Sequence, residues 1–349
     1  MLDINIHKGI TPFFVKDETI VCAVGNELFN YSFDLKIRKR IGKYNAGIFN
    51  NILARTNFGS RIGRLGFHSV KEFRGGYIGI QKGKIVHKAK LSSVFENVFS
   101  NFRGSRPLNI CIGPKDENIY FGEYFSNSKR SAVKIFHSAN LKFWNIAYEF
   151  EASSIRHVHG IFYDQFRDGY WVLTGDSNKE SGLWFTSDKF KTLDKVFSGS
   201  QKTRAVEMII KEEGLIVPMD SPLELNSINF FSLKDNSIKF LQDLNGSAFH
   251  ALVVKGIYFI TTVTEISDIN LDKSANVYAS IDGYNWKCIS KFKKDFIPIK
   301  YQWLTRYSEI TIVPGESKGN YIFGHARAVR GGCFLFRWDK NNLLQLFKE

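Results

Sequence analysis

Short apolar runs rich in Val, Ile, Phe and Tyr recur along the chain, each bounded by Gly, Asn, Asp or Ser. That alternation is the grammar of strands and turns. The runs TIVCAV (from 19), GYIGIQ (76), NIYFGEY (118), GYWVLTGD (169), GLIVPMD (214), GIYFITTV (256) and NYIFGHA (320) start about 42 to 64 residues apart. This period fits β-propeller blades of four strands each. Before the second to seventh runs stand further strand-like segments: LGFHSVKEF, RPLNICIGP, HVHGIFYD, TRAVEMII, AFHALVV and QWLTRYSEI. The repeat therefore contains a hairpin. Third and fourth strands follow in AVKIFHSANLKFWNIAYEF and NVYASIDGYNWKCISKF. The pattern predicts an all-β fold, a single β-propeller domain over 1–349 with seven blades, or six if the first and last runs combine to close a smaller ring. Helical spacing is scarce; SVFENVFSNF (93–102) fits a helical turn or two but also alternates.

Three polar turns between third and fourth strands share a pattern. SIDGYNW (280–286), SANLKFW (138–144) and TSDKFKTL (186–193) place Ser or Thr two residues before Asp or Asn. They resemble the Asp-box of sialidase-like (BNR-repeat) propellers, Ser-x-Asp-x-Gly-x-Thr-Trp. SIDGYNW is one residue short, SANLKFW has Asn140 for the Asp, and TSDKFKTL has Phe190 and Leu193 for the Gly and Trp. The resemblance implies that Asp188 and Asp282 are structural, bonding nearby amides as Asx turns do. It does not extend to the sialidase catalytic set of three arginines, a Tyr/Glu pair and an Asp. IRHVHGIFYD, WVLTGD and SQKTRAV are also similar to Asp-box proteins of bacterial surface-polysaccharide loci, which implies a carbohydrate-related role.

Charge narrows the partners. Lys and Arg exceed Asp and Glu by 14, so a polyanion is attracted over long range. Nucleic acid is not expected: there is no basic stripe interleaved with aromatics, no Gly-rich phosphate loop and no recognition-helix pattern. An acidic oligosaccharide or polysaccharide remains. No apolar run approaches the roughly 20 residues of a membrane span, and MLDINIHKGITPFFVKDETI lacks the layout of a signal peptide. The expectation is a cytoplasmic protein without a membrane span. Cys22, Cys111, Cys288 and Cys333 form no Cys-x-x-Cys pair and are expected as buried thiols.

In a propeller the innermost strands start on the face where the second strands end, so residues at those two places converge on one funnel. Innermost starts supply His68, Arg106 with Asn109, His157 with His159, Arg204, His250, and Trp303 with Arg306; second-strand ends supply Glu123, Asp176, Asp220, Glu265, and His325 with Arg327. Alternation sends His157 and His159 to one side of their strand. Either imidazole is a candidate general base. Three histidines with Asp176 are alternatively a candidate site for a divalent metal, although no motif requires a cofactor. Glu123, Asp176 and Asp220 are candidate acids, bases or nucleophiles for glycoside cleavage. Glu224 and Asn226 follow Asp220 in an acid-rich loop.

Arg61, Arg64, Arg106, Arg156, Arg204 and Arg306 are candidate grips for a carboxylated or sulfated sugar, because the guanidinium fork matches an oxyanion. Tyr124, Tyr163, Trp171, Tyr301 and Trp303 are candidate stacking faces. Asp164, at the turn of the HVHGIFYD hairpin, belongs to the opposite face as a structural residue. The expected function is a glycoside hydrolase or polysaccharide lyase acting on an acidic glycan of a bacterial surface polysaccharide. The alternatives are a noncatalytic glycan-binding or assembly protein and a propeller scaffold for protein or nucleic acid.

Overall fold

The computed structural model describes residues 3–115, 117–265, 267–298, 301 and 307–348. Its antiparallel pairings form four-stranded units over 11–44, 69–99, 111–150, 157–198, 209–244 and 248–293. A further unit joins Glu309–Ile312, Tyr321–Val329 and Gly332–Asp339 to Asp3–Lys8 from the other end of the chain. A short parallel contact, Lys43 with Val94 and Tyr44 with Phe95, links the first two units.

Burial follows position within each unit. The second strands are largely buried, and Gly169–Gly175, Gly214–Pro218 and Ile119–Gly122 are buried at every residue. Fourth strands such as Asn145–Phe150 and Ile238–Leu244 are largely exposed or half-buried. Apolar clusters bind each unit to the next. Trp171, Leu173 and Leu183 of the unit 157–198 pack with Leu215, Val217 and Phe231 of 209–244, while Ile20 and Tyr31 pack with Phe323 and Leu335 to join the last unit to the first. The units therefore close into a ring, the arrangement of a β-propeller. Each fully buried Leu, Val or Phe side chain contributes about 1.5–3 kcal/mol through removal from water.

The seven runs read as second strands all occupy that position. The Asp3–Lys8 strand joins the last unit without reducing the number of units, because 11–44 is complete in itself. SVFENVFSNF contains the strand Val94–Phe99 rather than a helix. Short helices lie at Ile48–Leu53, Asn57–Arg61 and Lys340–Gln345, the last capped by Asp339, which accepts from Asn341 N at 2.9 Å and Asn342 N at 3.2 Å. No helix among the described residues is long and apolar enough to cross a membrane. The four cysteines form no disulfide; Cys22 and Cys111 are buried as expected, but Cys288 is exposed and Cys333 half-buried.

The three polar turns have one geometry. Asp282 Oδ1 accepts from Tyr284 N at 2.7 Å and Asn285 N at 2.8 Å, and Trp286 Nε1 donates to Gly283 O. Asn140 accepts from Lys142 N and Phe143 N in the same way, with Trp144 donating to Leu141 O. Asp188 accepts from Thr192 N. Leu141 and Phe190 sit at positive φ where the pattern has its glycine. A fourth turn, SFDLKI (32–37), belongs with them: Asp34 accepts from Ser32 Oγ and Lys36 N, and Leu35 has φ +60°.

Candidate functional site

A cavity of about 2160 Å³ occupies the middle of the ring and is lined from all seven units. Into it converge Arg64, His68, Arg106, Asn109, Arg156, His157, His159, Asp176, Arg204, Asp220, His250, Glu265 and Arg327. These expected residues do share one space.

Its densest group lies on one hairpin. His157 pairs with Gly175 across the strands His157–Asp164 and Gly169–Gly175, which brings Asp176, the next residue, beside the histidines. His157 Nε2 and His159 Nε2 are 3.1 Å apart, and Asp176 Oδ1 lies 3.5 Å from the first and 3.3 Å from the second. Each Nδ1 faces a carbonyl at 2.8 Å, Phe125 O for His157 and Ala205 O for His159. Arg156 Nη1 meets Asp176 Oδ2 at 2.6 Å, Arg204 Nη2 stands 3.4 Å from Oδ1, and Gln201 Nε2 and Arg204 Nη1 both donate to the Asp176 carbonyl. Burial opposes ionisation of Asp176, but the neighbouring His157 and His159 rings outweigh it and hold the carboxyl below its usual range. Burial lowers the His159 pKa, with Asp176 opposing. His157, His159 and Asp176 are also the group among the described residues whose ligand atoms, all within 4.8 Å, can hold a metal ion.

A second group faces the same funnel. Asp220 is 5% exposed, and its Oδ1 has no hydrogen-bond partner among the described residues. Burial, with the Glu265 charge beside it, pushes its carboxyl up to about 7, against the pull of Arg204. Glu265 accepts from Ser247 Oγ at 2.9 Å and Tyr307 Oη at 3.0 Å. Tyr124, its ring centroid 4.2 Å from that of His157, is pushed up to about 12 by burial and the surrounding acids, so its phenol keeps its proton at neutral pH. Deeper in the cavity, burial raises Glu207 to about 8, opposed by Lys71.

Other expected residues are placed elsewhere. Glu123 does not line the cavity; it accepts from Arg103 N and Nε at 2.9 Å, from Arg103 Nη2 and from Lys134 N at 3.0 Å, which saturates the carboxylate in the framework. Asn226 braces its own loop through Ser221 N and O and Asn270, and Glu224 beside it is exposed outside the cavity. His325 is fully buried within its sheet, its Nε2 3.1 Å from Cys333 Sγ. His250 lines the cavity, but its Nε2 is bonded to Ile312 O at 2.9 Å. Arg61 pairs with Asp295. Trp171 is core, its indole donating to Asp164, which also accepts from Phe166 N and Arg167 N. Trp303 and Arg306 lie outside the described residues. Glu207, Tyr307 and Glu309 line the cavity without having been anticipated; the available signal was a single acid inside the apolar run TRAVEMII.

The fold and funnel place the chain among β-propellers. Solved structures of similar fold include a GH74 enzyme, with a TM-score of 0.55 at 10% identity over 96% of this chain. A prolyl endopeptidase matches with a TM-score of 0.57 at 8% identity over 93%, and the AfRom2 CNH domain with 0.53 at 6% over 97%. This chain spans 47% of both the GH74 enzyme and the endopeptidase, and 95% of the CNH domain. No family model matches the chain, and neither does any curated protein.

Proposed function

We propose that the ring forms a seven-bladed, carbohydrate-active propeller that hydrolyses an acidic glycan, such as a bacterial surface polysaccharide, in its central funnel. One observation carries this reading: Asp220, a buried carboxyl raised to about 7, keeps an unpartnered oxygen in a cavity beside a second carboxylate, Glu265. Two acids in unlike environments divide the work of glycoside cleavage. Asp220 donates its proton to the leaving glycosidic oxygen as the C–O bond breaks. Glu265, held by Ser247 and Tyr307, serves as the second acid residue, which takes a proton from the attacking water or attacks the anomeric carbon itself. Arg204 lines the cavity, where its guanidinium can pair with the sugar's carboxylate. The GH74 neighbour supports a carbohydrate-active role at the level of fold.

The test is incubation with uronate- and sialate-bearing oligosaccharides followed by mass spectrometry. Hydrolysis by the wild type, with turnover of Asp220→Asn reduced at least about 100-fold and sugar affinity retained, supports the reading. Unsaturated products select a lyase, and sugar bound but never cleaved selects a binding module; either result overturns hydrolysis.

A further inference from the structure

The two histidines and Asp176 present their acceptor atoms to one another. A carbonyl oxygen only accepts, so the contacts to Phe125 O and Ala205 O place the ring hydrogen of each histidine on Nδ1. Each Nε2 then carries a lone pair, and the two lone pairs and Asp176 Oδ1 converge on one point. The three edges of that triangle are 3.1, 3.3 and 3.5 Å. Ligands held 2.0–2.1 Å from a tetrahedral zinc ion lie roughly 3.3–3.4 Å from one another. A cation at the apex attracts all three atoms at once, whereas one proton lies directly between only two.

The surroundings are those of a built ligand set. Backbone carbonyls hold the outer nitrogens of both imidazoles, the usual support for metal-binding histidines. Arg156 takes Asp176 Oδ2 and turns Oδ1 toward the rings. His157 and His159 stand on one strand and Asp176 directly follows the end of the strand paired with it, so sheet register brings the three together. Gly175 leaves room for the His159 ring, because a β-carbon there lies 2.4 Å from Cε1. All three side chains line the cavity. Arg204, 3.4 Å from Oδ1, is the one Lys or Arg among the described residues that competes for that oxygen, and its guanidinium is also engaged with the Asp176 carbonyl.

We propose that His157, His159 and Asp176 bind a single divalent ion of the zinc class in tetrahedral geometry, its fourth position open to the funnel. Two neutral nitrogens and one carboxylate suit zinc, or cobalt as its spectroscopic substitute, over magnesium or calcium, which prefer all-oxygen shells. The open position faces water or an oxygen of a bound ligand. The site rests on its own donor geometry and not on the glycan reading.

The experiment therefore needs no sugar. Protein stripped by chelator is titrated with zinc chloride by calorimetry and with cobalt chloride by visible absorption. One equivalent per chain and the bands of tetrahedral cobalt are expected. Affinity should fall at least about 100-fold in His157→Ala and His159→Ala, and about 10–100-fold in Arg156→Ala, while His250→Ala binds as the wild type does. Nitrogen NMR of the wild type, which does not depend on any variant folding, should move both Nε2 signals and leave the Nδ1 protons in place. Absence of binding by folded wild type, binding unchanged in a folded His159→Ala, or a proton shared between the Nε2 atoms that survives excess zinc overturns the proposal.

Discussion

The His159 ring lies over the α-carbon of Gly175: a β-carbon added there meets Cε1 at 2.4 Å and Nε2 at 2.8 Å. Both residues sit inside a sheet whose strands are buried, so neither can withdraw into solvent. Gly175→Ala is expected to cost about 1–3 kcal/mol in urea unfolding, the usual penalty for overpacking. It should also shift the His159 ring resonances and weaken zinc binding, because the ring must rotate away from Asp176.

Glu123 is a framework acid. Its removal leaves Arg103 N and Lys134 N without their acceptor, while the Arg103 guanidinium, 40% exposed, can turn to water. Glu123→Ala should lose about 2–3 kcal/mol of stability, read from denaturant midpoints. Affinity for zinc in the folded protein should stay within about twofold of the wild type, because the residue is outside the cavity.

Asp220 links stability to pH. Its folded carboxyl sits near 7, above its ordinary value of 3.8, so the folded state binds a proton that the unfolded chain has already released in between. The resulting stabilisation is complete at acid pH and disappears as pH rises through about 7. Glu265, Arg204 and Asp176 face the group and set this value. Asp220→Asn should therefore gain on the wild type by about 1 kcal/mol per pH unit between about pH 4 and 7 and gain no more above that, measured as paired urea midpoints from about pH 4 to 9. Glu207 titrates in both proteins and drops out of the difference. Under the proposed hydrolysis the wild-type rate should decline as pH rises through about 7 and Asp220 loses its proton.

The polar turns offer a graded test. Asp34, Asp188 and Asp282 each accept backbone amides on the surface, so replacing any one with alanine should lower the urea midpoint and leave zinc binding unchanged. Asp34→Ala matching the other two would place SFDLKI in the same class by energy as well as by geometry.

The fold was legible because each unit announces its buried second strand with a compact apolar run after a turn, and burial on both faces demands that composition. His157, His159 and Asp176 were legible for a related reason: hairpin register converts a gap of nearly twenty residues into adjacency. Glu123 misled because its partner Arg103 stands in the connection between units, and pairing across a connection leaves no periodic trace. Asn226 and Glu224 share a loop with Asp220, but the Ser221 bonds turn Asn226 inward and Glu224 is left exposed. His325 sits mid-strand, where the run NYIFGHA ends too early to reveal three more residues of strand. SFDLKI escaped notice because Leu35 adopts the positive φ that its pattern reserves for glycine.

The pairing of Asp3–Lys8 with Gly332–Asp339 gives the ring a clasp made of two segments far apart in sequence. During synthesis the first of these strands must wait, unpaired, until residue 339 has left the ribosome. The funnel is therefore shaped late, when the molecule snaps shut, and the same clasp is the place where a protease or a pulling force can unfasten it.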